Sequence, residues 1–131
     1  MIAWIRTVEG VFELDVESEA VLAEVGVAVD HERPELGLPR LVAAAVSGAT
    51  VVALVDRRPP LLISGDGGAT WREAGGGLPP GFDVAIDPAD PDCVLYAARN
   101  RLHLSTDGGR FWRSLAPELA DVEAVEWATE P

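Results

Sequence analysis

The chain has 131 residues, 48% of them hydrophobic, and a formal net charge of −12 at neutral pH. This length fits one domain with enough apolar surface to fold, while the apolar runs are too short to span a bilayer. Because nucleic acids and anionic membrane surfaces are bound by lysine and arginine patches, an acidic chain leads us to expect neither nucleic-acid binding nor membrane binding.

Residues 1–26 predict short strands joined by turns, with no stretch of helical period. A shift of 49 positions aligns IAWI at 2–5 with VVAL at 51–54, and residues 15–22 with SGDGGATW at 64–71. The segment at 15–22 has lost the glycines and the tryptophan of its counterpart. The N-terminal region is therefore a degenerate copy of a unit that occurs later in the chain.

Two clear copies of that unit follow. Residues 41–77 predict four short strands, the last at 70–74 at the end of SGDGGATW, and residues 82–117 repeat this order around STDGGRFW with the last strand at 111–115. The two motifs are 41 residues apart. Four strands joined by tight turns form an antiparallel meander of roughly 40 residues, which is the size of one propeller blade.

The last predicted strand spans residues 122–128. Its residues 122–126 resemble residues 84–87 in the first strand of the unit at 82–117, so it supplies the strand that the N-terminal copy lacks. The sequence thus predicts an all-β domain, residues 1–131, of three four-stranded β-propeller blades. Blade 1 comprises residues 1–26 and 122–128, blade 2 residues 41–77, and blade 3 residues 82–117.

Three blades are fewer than the typical four to eight that close a propeller ring. Left open, the array would expose apolar faces and a strand edge. A two-fold homodimer would close a six-bladed ring, with the strand at 122–128 of each chain completing blade 1 of the other. The alternatives are that the termini meet within one chain, or that a longer natural chain has been cut.

The two motifs resemble the Asp-box, also called the BNR repeat, with the pattern S/T-x-D-x-G-x-T-W. The matching residues are Ser64, Asp66, Gly68, Thr70, Trp71, Ser105, Asp107, Gly109 and Trp112. Phe111 replaces the threonine of the second motif. The repeat is found in sialidases, sortilin-type receptors, xyloglucan hydrolases and a photosystem assembly factor, so the resemblance implies a β-propeller.

The chemistry of the motif favours a structural role for its aspartates. A Ser-x-Asp-x-Gly turn suits a carboxylate that accepts hydrogen bonds from the N–H groups of its own loop. Gly68 and Gly109 would supply the positive φ that such a loop requires. We therefore expect Asp66 and Asp107 to build hairpins, and we predict no metal ion and no cofactor.

Candidate ligand-binding residues lie in the turns and links expected on the face opposite the motifs. The turns carry Arg57, Arg58, Arg99 and Arg101, and the long link at 27–40 carries Asp30 and His31. Long loops on a rigid scaffold often hold binding sites. The plainer interpretation of all six residues is exposure to solvent.

These features favour a non-enzymatic module that binds a protein or glycan-like ligand. A single cysteine and the lack of a visible secretory signal favour a cytoplasmic protein. The alternative is a small sialidase-like or other glycoside hydrolase with its site formed across a dimer. Such an enzyme needs carboxylates at the ring centre, for which the candidates are Asp83, Asp87, Glu123 and Glu126.

Overall fold

A computed structural model describes residues 1–29 and 36–128, which form β-strands and contain no helix able to cross a membrane. The strands are β1 (Ile2–Thr7), β2 (Gly10–Asp15), β3 (Ala20–Glu24), β4 (Leu41–Ser47), β5 (Thr50–Val55), β6 (Leu61–Ser64), β7 (Arg72–Ala74), β8 (Gly81–Asp87), β9 (Asp90–Ala98), β10 (Leu102–Ser105), β11 (Arg113–Ser114) and β12 (Val122–Trp127).

The described strands form three four-stranded sheets. Blade 2 has the order β4-β5-β6-β7, blade 3 the order β8-β9-β10-β11, and blade 1 the order β12-β1-β2-β3. Every pairing is antiparallel. The all-β architecture of four-stranded blades that the sequence predicts is confirmed.

Strand β12 completes blade 1 within the same chain. Ala3 pairs with Trp127 and Ile5 pairs with Val125. β12 thus pairs with β1 of its own chain, which is the alternative in which the termini meet, and the homodimer stays a prediction. The reason is local, because the Val122 N–H donates to the carbonyl of Arg99 at 2.8 Å and leads the chain directly from blade 3 into blade 1.

Blade 3 lies between the other two blades, because β8 packs against β4 on one side and against β12 on the other. The cluster shared with blade 1 includes Ile5, Leu14, Leu95, Leu104 and Trp127. The cluster shared with blade 2 includes Leu54, Ile63, Val84, Val94 and Tyr96. Alternate side chains of β9 thus enter opposite clusters, so this strand is buried on both faces from Cys93 to Ala98.

The outermost strands are shorter than expected. The sequence predicts strands at 70–74 and 111–115, whereas β7 begins at Arg72 and β11 at Arg113. The backbone N–H groups of Thr70 and Phe111 are already donated to the motif aspartates, so they cannot join the ladder of the neighbouring strand.

Candidate binding face

The motif at residues 64–71, here called the blade 2 box turn, is held by its serine and aspartate. Ser64 Oγ donates to Asp66 Oδ1 at 2.7 Å and accepts from the Gly68 N–H at 2.8 Å. Thr70 donates its N–H to Asp66 Oδ1 at 2.9 Å and its hydroxyl to Asp66 Oδ2 at 2.6 Å. Both carboxylate oxygens therefore bind within the turn.

The motif at residues 105–112, the blade 3 box turn, repeats most of this network. Ser105 Oγ donates to Asp107 Oδ1 at 2.8 Å and accepts from the Gly109 N–H at 2.8 Å. The N–H groups of Arg110 and Phe111 donate to Asp107 Oδ1 at 3.1 and 3.0 Å. Because Phe111 has no hydroxyl, the bond that Thr70 makes in blade 2 has no counterpart here.

This difference is visible in the ionisation of the two aspartates. The pKa of Asp66 falls to about 2, mainly because of the Thr70 hydroxyl, followed by the Ser64 hydroxyl. The pKa of Asp107 is also lowered, with the Phe111 N–H as the main cause. Donors within each loop account for these shifts, so the perturbed pKa values point to turn stability instead of a catalytic site.

An arginine after each motif tryptophan joins neighbouring blades. Arg72 of blade 2 donates to the carbonyl of Gly108 in the blade 3 box turn. Arg113 of blade 3 donates to Glu19 Oε2 of blade 1 at 2.9 Å. Ala23 occupies the equivalent position in blade 1, so the row of contacts runs from blade 2 through blade 3 and ends at blade 1.

The face opposite the box turns brings the four predicted arginines to the two sides of Pro79 and Pro80, here called the proline ridge. Arg57 and Arg58 lie on one side, in a shallow pocket of about 130 Å³. The remaining residues of its lining are Val42, Val55, Asp56, Pro60, Leu78 and Gly81, with both ridge prolines. We call this surface, defined by the four arginines and the ridge, the arginine face.

A larger and mainly apolar pocket of about 450 Å³ lies on the other side of the ridge. Its lining consists of Pro79, Pro80, Phe82, Ala98, Arg99, Asn100 and Arg101. Phe82 is 46% exposed at this pocket although it belongs to an inner strand. We call this space the apolar pocket.

Tyr96 fixes the proline ridge from below. Its hydroxyl donates to the Pro79 carbonyl at 2.6 Å, and burial raises the pKa of Tyr96 to about 12, so the hydroxyl keeps its proton. At Gly81, directly after the ridge, an added Cβ would lie 2.5 Å from the Tyr96 oxygen. The hydrogen bond to Pro79 and the close approach of Gly81 thus fix the position of the link between blades 2 and 3 relative to β9.

The four arginines differ in their ion pairs. Arg57 lies 3.8 Å from Glu73, and Arg99 lies 3.2 Å from Asp121. Among residues 1–29 and 36–128, no carboxylate is within salt-bridge distance of Arg58 or Arg101. Arg58 and Arg101 thus differ from Arg57 and Arg99 in having no carboxylate partner among the described residues.

The carboxylates proposed for an enzyme are engaged in structural contacts. Asp83 is fully buried and accepts from the Val125 N–H at 3.0 Å, which joins β8 to β12. Asp87 accepts from the Ala89 N–H at 2.9 Å in its own turn. Glu123 lies 3.3 Å from Arg6, and Glu126 also has an interaction partner.

Two candidate residues from the sequence, Asp30 and His31, lie outside the described residues. Within the part of the chain that is described, no group of three histidine, cysteine, aspartate or glutamate side chains is arranged to hold a metal ion. Sequence analysis missed Phe82 and the proline ridge. The consecutive prolines, separated from the aromatic residue by Gly81 alone, were the available signal, since Pro-Pro marks a turn or loop.

Comparison with solved structures establishes the fold. The structure of YCF48 bound to D1 peptide has a TM-score of 0.52 to this chain at 16% identity, covering 92% of this chain and 38% of YCF48. The chain is built of β-propeller blades. The expected β-propeller fold is confirmed, while membership of the Asp-box superfamily stays a prediction.

A second similar structure is the Niastella koreensis GH74 enzyme, which is 28% identical over 60% of this chain with a TM-score of 0.49. This chain spans 12% of the length of that enzyme. No protein-family model matches the sequence, and no curated protein matches it.

Proposed function

We propose that this propeller chain is a non-enzymatic binding module that holds a peptide segment of a partner protein on its arginine face. The observation that carries this proposal is the pair of pockets on either side of the proline ridge, each bordered by arginines. Rigid clefts with an apolar lining and a few polar groups are the usual form of ligand sites.

Electrostatics favours an acidic segment. The chain carries a net charge of −12, yet Arg58 and Arg101 lack a carboxylate partner among the described residues. Their field would attract a carboxylate that the rest of the surface repels. YCF48, whose blades are similar in fold, has been solved with a peptide bound, which supports a peptide as the class of ligand.

The test compares the wild-type chain with a variant that carries serine at all four arginine positions, on an array of acidic peptides. We expect the variant to lose binding and to remain folded, because exposed ion pairs stabilise proteins by about 0.2–1 kcal/mol each. An Arg110→Ser variant, altered on the opposite face, is the matched control and should bind as wild type does. Equal peptide profiles for wild type and the fourfold variant would refute the proposal, as would binding confined to glycans.

Binding at the arginine face should also depend on salt. Arg58 is exposed and Arg101 half-buried, and neither has a carboxylate partner among the described residues. The Debye length shortens from about 30 Å at 0.01 M salt to about 8 Å at physiological ionic strength. We expect peptide affinity to fall over this range. A salt-independent affinity would exclude the arginines as the source of attraction.

We further propose that two chains associate through their outer blade faces. In β4, Ala43 and Ala45 face blade 3. The side chains of Val42 and Val46 lie on the other side of this strand, where they are 43% and 50% exposed. Light scattering should give twice the 13.9 kDa chain mass, and Val46→Glu should return the mass to one chain. A wild-type monomer at micromolar concentration would contradict this association.

A further inference from the structure

The apolar pocket is an unusual part of the surface of this protein. The chain contains 22 acidic residues, and none of those among residues 1–29 and 36–128 lines this pocket. Its floor and walls are the proline ridge, Phe82 and Ala98, and its polar border is the turn at residues 99–101. An aromatic side chain that is 46% exposed beside prolines offers a surface that water solvates poorly.

Both walls of the pocket are fixed before any ligand arrives. The ridge is held by the Tyr96 hydroxyl through the Pro79 carbonyl. The opposite turn is held by Asn100, whose amide donates to the Leu119 carbonyl at 3.2 Å and to Asp121 Oδ1 at 3.4 Å. A preformed pocket does not have to be ordered on binding, so more of the contact energy is retained as affinity.

The positive charges at the apolar pocket lie at one edge, where Arg99 and Arg101 are found. Arg99 is paired with Asp121, whereas Arg101 has no carboxylate within salt-bridge distance among the described residues. The charge of Arg101 contributes, after burial, to lowering the pKa of the neighbouring His103. A ligand that fits both features has an apolar side chain close to a carboxylate.

We propose that the apolar pocket receives one large apolar side chain, phenylalanine or leucine, from an extended acidic peptide, while Arg101 binds a carboxylate next to that side chain. The volume of about 450 Å³ accommodates a single aromatic or branched side chain. This inference rests on the proposed peptide-binding function and adds the residue that anchors the peptide.

The experiment uses two synthetic hexapeptides of glutamate residues, one with a central phenylalanine and one with a central alanine. We expect wild-type protein to bind the phenylalanine peptide about tenfold more tightly, since burying an aromatic side chain favours binding by at least this factor. Amide chemical shifts of Phe82, Ala98 and Asn100 should change with the phenylalanine peptide and much less with the alanine peptide.

Two substitutions separate the anchor from the charge. Phe82→Ala should remove the preference for phenylalanine and leave the affinity for the alanine peptide unchanged. Arg101→Ser should weaken both peptides by the same factor. Phe111→Ala is the matched control, because Phe111 is an aromatic side chain that is 80% exposed on the opposite face, and it should alter neither affinity.

The outcomes distinguish the two proposals. If wild type binds both peptides equally and Arg101→Ser weakens both, the anchor pocket is refuted and the arginine face stands. If neither peptide binds at low ionic strength, the peptide-binding function fails and the anchor fails with it. A phenylalanine preference that survives Phe82→Ala would place the anchor elsewhere.

Discussion

The box turns of blades 2 and 3 share one sequence pattern and nearly the same internal hydrogen bonds, yet their surroundings differ. In blade 3, the Gly108 carbonyl accepts a hydrogen bond from Arg72 of blade 2. Gly109 of the same turn packs against Ile63, which also belongs to blade 2. In blade 2, a Cβ at Gly67 would meet no atom within 4 Å, and one at Gly68 would meet the indole of Trp71 in the same turn. The local sequence therefore determines the hydrogen bonds within each turn. The position of the blade among its neighbours determines whether the turn also contacts another blade.

Adding one methyl group to each turn tests whether the two turns differ in their contacts with neighbouring blades. Gly68 and Gly109 have φ values of 95° and 87°, so alanine is strained similarly at both positions. At Gly109 the new Cβ would also collide with Ile63 Cδ1. We expect Gly109→Ala to lower the free energy of unfolding by about 1–3 kcal/mol more than Gly68→Ala, because overpacking costs that much.

Urea denaturation of the two alanine variants provides the measurement. Wild type and Gly68→Ala supply the references, and the Gly68 variant reports the backbone strain alone. If both variants lost the same free energy of unfolding, the contact of the blade 3 turn with blade 2 would not contribute to the difference between the two glycine positions.

Removing the arginine contact between blades should have a smaller effect. Arg72→Gln leaves the Gly108 carbonyl without its guanidinium donor, and hydrogen bonds to charged groups contribute about 1 kcal/mol or more. We expect the free energy of unfolding to fall by about 1 kcal/mol. Arg58→Gln, at an exposed turn without an ion pair in the described residues, is the control and should stay within about 0.5 kcal/mol of wild type.

A calorimetric scan of both arginine variants would check this difference. If Arg58→Gln lowered Tm as much as Arg72→Gln, the contact between Arg72 and the blade 3 turn would not distinguish the two positions.

The fold was predictable because local signals agree with one another. Repeated strands, tight turns and two motifs at fixed spacing each point to the same meander. The resemblance of residues 122–128 to an inner strand even located the missing strand of blade 1. The choice between closure within one chain and exchange between two chains was not predictable, since it depends on the path from Arg99 to Val122 and not on a pattern.

The candidate site was predictable in part. Turn positions placed Arg57, Arg58, Arg99 and Arg101 on one face, and the structure brings both pairs to the proline ridge. Which arginines lack a carboxylate partner in the part of the chain that is described was not predictable, because Glu73 and Asp121 come from other strands and links. The exposure of Phe82 also depends on how the proline ridge packs, and this packing cannot be predicted from the sequence.

The smallest expected effect concerns the hydroxyl that distinguishes the two turns. Because the pKa of Asp66 is lowered to about 2, its ionised form stabilises the folded state above the ordinary aspartate pKa, and this stabilisation is lost as the pH falls towards 2. Thr70→Val removes the main donor, so the pKa of Asp66 should rise while the turn persists through the Thr70 N–H. Carboxyl carbon shifts followed by NMR between pH 5 and about pH 1 would measure this pKa.

The reciprocal substitution, Phe111→Thr, tests whether the hydroxyl alone explains the difference. A threonine at this position can donate to the second oxygen of Asp107 as Thr70 does to Asp66, since both backbones donate the same N–H at 3.0 and 2.9 Å. The pKa of Asp107 should then fall further, and acid unfolding should begin at a lower pH than in wild type. An unchanged pKa of Asp107 would mean that the contact between the blade 3 box turn and blade 2 keeps the carboxylate out of reach of the introduced threonine hydroxyl. The two box turns would then differ in geometry as well as in sequence.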